Sequence, residues 1–254
     1  MTFLFSSFVF VFGLIIGSFL NCLIWRLYKD ETLGGRSYCP KCRYTIAWYD
    51  NIPLLSFLFL KGRCRHCHEK ISWQYPLVEF ATAILFLLTF QMDALNPQFS
   101  WLLIRDWFLI ITLIIVFVYD FRWQLVPVKV VWFMGALILV LNIILGVSWL
   151  TELFYASLGA AFFLIQYFLT KKKGIGEGDI WLGAFLGAAF PGSWLLLLIM
   201  VLSYGLGSII SLILMAAAKK KWKSRIALGP FLVSGAIITL IWGERIISWY
   251  LNLF

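Results

Sequence analysis

The chain has 254 residues, of which 62% are hydrophobic and only 13% are charged, and its formal net charge is +9. This composition excludes an ordinary soluble globular protein and indicates a chain that crosses a membrane several times. The positive charge is concentrated in a few segments between apolar runs, so it reflects membrane topology and gives no reason to infer nucleic-acid binding.

The apolar runs predict an all-α polytopic membrane protein with about eight transmembrane helices. A helix that crosses the bilayer needs about 20 apolar residues. The candidate runs begin near Phe3, Leu77, Leu103, Val126, Leu150, Ile180, Trp194 and Ile226. We therefore divide the chain into a first transmembrane helix (residues 1–25), a polar loop (26–76) and a seven-helix membrane domain (77–254).

The first run is predicted to be a retained helix and not a cleaved signal peptide. No basic residue precedes Arg26, the run is longer than an ordinary signal-peptide core, and no small-residue cleavage site follows it. Gly13 and Gly17 form a GxxxG pattern, which allows a neighbouring helix to approach closely, although single pairs of this kind are often incidental.

The loop after the first helix carries two CxxC pairs. They are Cys39 with Cys42 and Cys64 with Cys67. This spacing is typical of a structural zinc ion held by four thiolates. Disulfides and an iron–sulfur cluster are the alternatives, but a cytoplasmic loop is reducing and the spacings of clusters usually differ. The fifth cysteine, Cys22, lies in the first helix and is interpreted as a packing residue.

The distribution of Lys and Arg predicts the orientation of the chain. Four segments hold 19 of the 21 basic residues: 26–70, 122–129, 171–173 and 219–225. With eight spans, all four fall on one side of the membrane, which the positive-inside rule assigns to the cytoplasm. Both termini then face outward. The run over residues 180–190 is short, but it must cross the membrane if segments 171–173 and 219–225 are to share one side.

Two aspartates stand at the ends of apolar runs, on the side predicted to be cytoplasmic. Asp120 ends one run, and Asp179 begins another after the glycines Gly176 and Gly178. Acids at membrane depth are costly and are retained mainly where they are used. Two carboxylates that approach each other cannot both ionise easily, so one holds a proton while the other activates water, as in aspartic proteases. This pair therefore indicates an intramembrane hydrolase.

Other hydrolytic chemistries lack their residues here. The sequence has no GxSxG, no HExxH and no nucleotide-binding P-loop. Two non-hydrolytic interpretations stay open on these residues alone. The acids could carry protons or cations in a transporter, or the chain could be a non-catalytic scaffold of a secretion or pilus assembly machine.

Several stretches of the chain resemble the type IV prepilin peptidases, which are membrane aspartic proteases of the GxGD class. The similar stretches are residues 17–27 (GSFLNCLIWRL), the two CxxC pairs, residues 51–53 and 62–79, Asp120 seven residues before Pro127, GEGD at 176–179 and LGPF at 228–231. The resemblance covers nearly the whole chain and implies that Asp120 and Asp179 are the catalytic residues.

The resemblance also implies substrates, cofactors and location. The substrate is expected to be a prepilin or pseudopilin, cut behind a short basic leader that ends in glycine, at the cytoplasmic face of the bacterial inner membrane. Many relatives also methylate the new N-terminus with S-adenosylmethionine, and Glu79 is a candidate contributor to that second activity. A polytopic protein also contacts membrane lipids. The sequence does not indicate an oligomeric state.

Overall fold

The computed structural model describes residues 2–93, 98–172, 174–217 and 227–253, and within these ranges the regular structure is entirely helical. The helices are α1 Thr2–Lys29, a 3-10 turn Trp48–Asn51, α2 Leu55–Phe59, α3 Gln74–Asp93, α4 Phe99–Trp123, α5 Val128–Ile144, α6 Trp149–Leu169, α7 Glu177–Ala189, α8 Ser193–Ala216 and α9 Gly229–Leu251. The predicted all-α class is confirmed.

Eight of these helices coincide with the eight predicted membrane runs. Six of them are long and apolar enough to cross a membrane, so the chain is a multi-pass membrane protein. The other two, α5 with 17 residues and α7 with 13 residues, are shorter than the length that spans a bilayer unaided. The span count of eight therefore stays a prediction. Lys173, the basic segment 219–225 and the predicted start of the last run at Ile226 lie outside the described residues.

The chain forms two compact units, residues 1–96 and residues 97–254. In the first unit α1 packs against α3, and the contact is centred on the GxxxG pair of α1. A Cβ atom added at Gly13 would lie 2.6 Å from Cα of Ala83, and one added at Gly17 would lie 2.6 Å from Cα of Glu79. The two glycines therefore permit the close helix contact that their spacing predicted.

The end of α1 anchors the loop that follows it. The guanidinium of Arg26 is buried, and it donates hydrogen bonds to backbone carbonyls of the first loop residues. Its five acceptors are the carbonyl oxygens of Thr32, Leu33, Gly34, Gly35 and Arg36. A guanidinium offers five N–H donors in a fixed plane, so one side chain satisfies a whole turn of backbone that has no helix or strand to pair with.

The second unit contains α4 to α9 around one apolar core. Within it, α7 packs closely along α6, and α5 also contacts α7. Cβ atoms added at Gly183 or Gly187 of α7 would overlap the backbone of α6 at Gly159 or Tyr155. Gly183 and Gly187 therefore allow α6 and α7 to approach closely. This contact fixes α7, the helix that begins at the GxGD motif.

Candidate active site and metal centre

Asp120 lies in the last turn of α4, and its side chain is only 5% exposed. The helix ends at Trp123, where Gln124 takes a left-handed conformation and its N–H donates to the Asp120 carbonyl at 2.8 Å. The Asp120 carboxylate accepts a hydrogen bond from the backbone N–H of Gly229, in the first turn of α9, at 2.8 Å. The unpaired N–H groups at a helix N-terminus attract negative charge, so α9 holds this carboxylate in place.

Asp179 lies in the first turn of α7 and is half-buried. Its Oδ2 atom accepts a hydrogen bond from the backbone N–H of Gly176 at 3.0 Å, and its own N–H donates to the Gly176 carbonyl at 3.1 Å. This reciprocal pair is the backbone pattern of a capping box. The GxGD sequence therefore forms a helix start whose third residue is an acid.

The connection between α4 and α5 covers the start of α7. A Cβ atom added at Gly178 would lie 2.6 Å from Cβ of Val126, whereas one added at Gly176 would meet only the Asp179 carboxylate, at 3.6 Å. Gly178 is thus required by close contact with Val126, and Gly176 is not. The same short connection follows Asp120, so it relates the two acids in space.

The two predicted acids belong to neighbouring segments of the second unit, because Val126, in the connection that follows Asp120, contacts Gly178, the residue before Asp179. The charge of Asp179 acts on Asp120, and it also acts on the hydroxyl of Tyr204 in α8. Tyr204 donates a hydrogen bond to Oε1 of Gln166 at 2.8 Å. Each acid is held by one backbone N–H, which leaves carboxylate lone pairs free for water or for a peptide bond.

The Cys pairs form two backbone knuckles of the same geometry, 25 residues apart. In the first, the N–H of Arg43 donates to the Cys39 carbonyl at 2.8 Å, and in the second the N–H of His68 donates to the Cys64 carbonyl at 3.0 Å. Arg43 and His68 both have positive φ, at 57°. Each knuckle is closed by one isolated β-bridge, Tyr38 with Thr45 and Arg63 with Lys70. The two halves therefore present their thiols in matching ways.

The four thiols converge on one point. Their ligand atoms lie within 4.8 Å of one another, and the Sγ atoms of Cys39 and Cys67 are 3.9 Å apart. Four sulfurs about 2.3 Å from a tetrahedral ion are separated by nearly 3.8 Å, so the cluster fits a metal ion such as zinc. The cysteines of the chain are free in the described structure, which does not support the disulfide alternative.

The electrostatics of the thiols differ between positions. Backbone N–H donation from Cys67 and His66 lowers the pKa of the Cys64 thiol to about 7, although burial opposes this. For Cys67 the backbone N–H of Glu69 acts in the same direction, but burial and the three neighbouring thiols outweigh it and raise the pKa to about 12. Four thiols this close therefore compete for protons until a cation neutralises them.

Side chains around the knuckles support the cluster without supplying further ligands. The ring of His66 stacks on Tyr44, with centroids 4.4 Å apart. Arg65 forms a two-pronged ion pair with Asp50, at 2.7 and 2.8 Å, and lowers the pKa of the Asp50 carboxyl. These contacts tie the second knuckle to the first knuckle and to the 3-10 turn.

Glu79, the candidate for the second activity, is buried in the second turn of α3. Its Oε2 atom accepts a hydrogen bond from the backbone N–H of Leu54 at 2.8 Å. Leu54 has a positive φ of 59° and precedes α2. This contact holds the Glu79 carboxylate against the loop.

The sequence did not identify three of the contacts around the acids. Gly229 was noted only inside LGPF, and neither Tyr204 nor Val126 was singled out for a contact with the site. Glu177, the other acidic residue of GEGD, accepts a hydrogen bond at its Oε1 atom from the hydroxyl of Tyr167 at 2.7 Å. The only signal for Gly229 was a glycine–proline pair at the predicted start of a helix.

Comparison with known proteins places this chain among membrane peptidases. A family model described as "Bacterial Peptidase A24 N-terminal domain" matches residues 11–92, and one described as "Type IV leader peptidase family" matches residues 107–217. No solved structure is significantly similar to the chain.

Several curated relatives carry the name "Prepilin leader peptidase/N-methyltransferase", and three of them illustrate the match. The protein from Aeromonas salmonicida is 33% identical, over 98% of this chain and 94% of the relative. The protein from Bacillus subtilis is 31% identical over 97% and 98% of the two chains. The protein from Pseudomonas aeruginosa is 34% identical over 94% and 91%. The similarity therefore extends over both compact units.

Proposed function

Because this chain belongs to the type IV leader peptidase family, we propose that it removes the leader of prepilins with Asp120 and Asp179 as its catalytic pair. The observation that carries the assignment of residues is that each acid accepts a hydrogen bond from a backbone N–H at a helix start of the second unit, Asp120 from Gly229 of α9 and Asp179 from Gly176 before α7. The family match favours this activity over a transporter or a non-catalytic scaffold.

The mechanism that we propose is peptide hydrolysis without a covalent intermediate. One aspartate is ionised and takes a proton from water, and that water attacks the scissile carbonyl. The other aspartate is protonated, donates a hydrogen bond to the carbonyl oxygen, and later gives its proton to the leaving amine. Gly229 would orient Asp120, and Gly176 would orient Asp179, so that neither carboxylate has to reorganise during the reaction.

A cleavage assay with purified protein in proteoliposomes tests this pair. Asp120→Asn and Asp179→Asn keep the size of each side chain but cannot exchange a proton with water or substrate. We expect both variants to be folded and to cut at least about 10³-fold more slowly than the wild type. A folded variant that cuts at the wild-type rate would overturn the assignment of that residue.

Four thiolates from Cys39, Cys42, Cys64 and Cys67 would hold a structural zinc ion in the loop. The ion would supply charge neutralisation and cross-linking, and the loop residues would supply the chelating geometry. A loop of this size buries too little apolar surface to fold firmly alone, so the cross-link would provide most of its stability. The proposed catalytic domain over residues 77–254 would then have the zinc loop as a separately stabilised module.

The relatives are named N-methyltransferases as well as peptidases. We extend that second activity to this chain, with S-adenosylmethionine as methyl donor and Glu79 as a contributor. Mass spectrometry of the product tests it, because a methylated N-terminus adds the mass of one methyl group. Glu79→Gln should leave cleavage intact and lower the methylated fraction; an unchanged fraction would remove Glu79 from this role.

The proposed orientation places the basic loops in the cytoplasm and both termini outside the bacterial inner membrane. Both acids then face the side on which a newly made prepilin presents its basic leader. Single-cysteine labelling of exposed positions with a membrane-impermeant reagent tests this orientation. Labelling of Lys172→Cys from the outside in intact cells would reverse it.

A further inference from the structure

The short helix α2, in the loop after α1, exposes three of its five side chains. They are Leu55, Leu58 and Phe59, which are 51%, 68% and 82% exposed. Residues three and four positions apart lie on one side of a helix, so these three form a single apolar face. Phe57 points to the other side, where its ring packs against Trp73 with centroids 5.0 Å apart. The loop therefore holds α2 by one side and leaves most of the apolar face open.

The backbone next to α2 is bound to the second turn of α3. The N–H of Leu54, the residue before α2, donates to Oε2 of Glu79 at 2.8 Å. Glu79 is five positions beyond Gln74, the first residue of α3, which corresponds to roughly 7.5 Å along the helix axis. The apolar span of α3, Gln74–Met92, has 19 residues, or roughly 28 Å, which is close to the thickness of the hydrocarbon core. The hydrogen bond therefore holds α2 at the level where α3 enters the membrane, and not in the water above it.

The exposed side of α3 leads onto α2. Trp73, Leu77 and Phe80 follow one another at spacings of four and three residues, and all three are exposed. An exposed apolar stripe on a membrane-crossing helix faces lipid. Trp73 is also the residue that packs on Phe57 of α2, and Trp is typical of the boundary between headgroups and acyl chains. The lipid-facing surface of α3 is thus joined to α2 through this aromatic contact.

Positive charge lies beside this apolar surface. Residues 26–76 include nine Lys and Arg but only four Asp and Glu. Lys61, two positions after Phe59, is exposed, and so is Trp48 in the 3-10 turn that packs against α2. Anionic headgroups attract basic segments, and long basic side chains keep their charge among the headgroups while their stems lie along apolar surface. An apolar face bordered by positive charge is therefore complementary to a lipid surface.

We propose that α2 is an interfacial segment, whose face of Leu55, Leu58 and Phe59 inserts into the membrane that α3 crosses, at the boundary between headgroups and acyl chains. Lipid is the partner because the hydrogen bond to Glu79 places this face at membrane level. The loop is then attached to the membrane at α2 as well as at its two ends, which holds both cysteine knuckles at the membrane surface. The proposal does not depend on the proposed function, because none of these contacts involves the two aspartates.

Fluorescence quenching in proteoliposomes measures the position of α2 relative to the lipid. A small fluorescent amino acid replaces Phe59 by codon suppression, so that the cysteines remain unmodified. Glu69 is the matched control, because it is an exposed side chain of the same loop and carries a charge that apolar lipid excludes. The vesicles contain phosphatidylethanolamine and phosphatidylglycerol, and the quencher is either a nitroxide on the acyl chain or iodide in the water.

We expect the nitroxide lipid to quench the probe at position 59 at least about threefold more strongly than the probe at position 69, and iodide to show the opposite preference. Equal quenching of the two positions by both agents would overturn the proposal. It would also be overturned by a probe at position 59 that iodide reaches in these vesicles but not in native membranes, because a protein would then cover the face.

A charged substitution tests whether the apolar face causes the insertion. Phe59→Asp places a carboxylate on this face, at a side chain that is mostly exposed and supports little packing within the loop. With the probe at Leu55, we expect Phe59→Asp to raise iodide quenching by about threefold and Phe59→Leu to leave it unchanged. Unchanged quenching in Phe59→Asp would overturn the proposal. Circular dichroism verifies folding, and if Phe59→Asp does not fold, the comparison of positions 59 and 69 decides the question.

Discussion

The backbone N–H of Gly229 donates to Oδ2 of Asp120 at 2.8 Å, across 109 positions of sequence. This bond joins the end of α4 to the first turn of α9. The position of a Cβ atom at Gly229 would be 2.5 Å from the same oxygen. The carboxylate thus occupies the space that the Cβ atom of any other residue at position 229 would need. Gly229 of the LGPF motif therefore positions Asp120 through its backbone N–H.

We predict that Gly229→Ala lowers the rate of prepilin cleavage by about 10²-fold, because the new methyl group must displace the Asp120 carboxylate by close to an ångström. Gly205→Ala is the control, since it adds the same methyl group where there is open space. Initial rates for both variants, with circular dichroism to verify folding, check the prediction. Equal rates for the two variants would show that contact with residue 229 does not fix the position of the Asp120 carboxylate.

The two glycines of GEGD should respond differently to the same substitution. Gly176 has a φ of −82°, and an added Cβ would make only ordinary contacts, so Gly176→Ala should keep most of the activity. Gly178→Ala should lose at least tenfold, since its Cβ would lie 2.6 Å from Cβ of Val126. Cleavage rates of the two variants, measured side by side, test this difference, and equal rates would contradict it.

A second substitution, at Val126, should restore part of the cleavage activity that Gly178→Ala loses. Val126→Gly removes the Cβ atom and the γ-methyl groups that an added Cβ at position 178 would overlap. We therefore expect Gly178→Ala with Val126→Gly to cut faster than Gly178→Ala alone. A double variant slower than both single variants would show that the two positions are not coupled through this contact.

The helices and the cluster of four thiols could be predicted from sequence because their signals are local. Apolar runs located eight helices, of which six are long and apolar enough to cross a membrane, and the CxxC spacing located the four thiols. The hydrogen bond between Gly229 and Asp120 could not be predicted, because the two residues are 109 positions apart and a glycine in a sequence does not indicate what its N–H will bind. The cover that Val126 forms over Gly178 is likewise a tertiary contact between segments far apart in sequence.

The repeat between the two knuckles was also hidden from the sequence. Residues 37–46 and 62–71 share the two cysteines and a final isoleucine but few other side chains. What repeats is the backbone, in which Ile46 donates to the Ser37 carbonyl and Ile71 donates to the Gly62 carbonyl, both at 2.8 Å. Backbone hydrogen bonds impose little constraint on side-chain identity, so the symmetry is visible only in three dimensions.

We predict that each chain binds one zinc ion, and that Cys67→Ser removes it. His66→Ala should keep it, because the His66 ring stacks on Tyr44 instead of joining the four thiols. Elemental analysis of purified protein, with limited proteolysis of the loop, provides both readouts. A Cys67→Ser protein with full metal content and an unchanged proteolysis pattern would contradict the four-thiolate site.

The ion pair between Asp50 and Arg65 should give the loop a small acid-sensitive contribution to stability. Arg65 lowers the pKa of Asp50 in the folded loop, so the contribution is present above the unfolded pKa of about 3.9 and is lost as the pH falls through the folded value. Asp50→Asn should therefore make the loop more sensitive to protease at pH 7. The difference from wild type should shrink below about pH 4, and a difference that grew with acid would contradict this sign.

Asn142 holds the far end of the helix that begins with Asp179. Its Nδ2 atom donates to the carbonyl of Ala188 at 3.2 Å, which satisfies one of the last carbonyls of α7. Beside it, Glu152 is completely buried and interacts with the side chain of Asn142, but neither of its carboxyl oxygens nor Oδ1 of Asn142 makes a hydrogen bond of ordinary geometry in the described structure. The N–H donor that these two side chains share is Nδ2 of Asn142, and it is already used by the Ala188 carbonyl.

This arrangement predicts opposite effects for two substitutions. Asn142→Leu leaves the Ala188 carbonyl, at the end of a 13-residue helix, without its hydrogen-bond donor. This change should lower the free energy of unfolding by about 1 kcal/mol or more. Glu152→Gln supplies an N–H donor to Oδ1 of Asn142 without changing the size of the side chain, so it should match or exceed the wild type. Thermal unfolding in detergent measures both, with Ser248→Ala as a control at an exposed hydroxyl. If Glu152→Gln were the less stable of the two, Glu152 would have to act as a charged group, and a bound cation would be the next partner to seek.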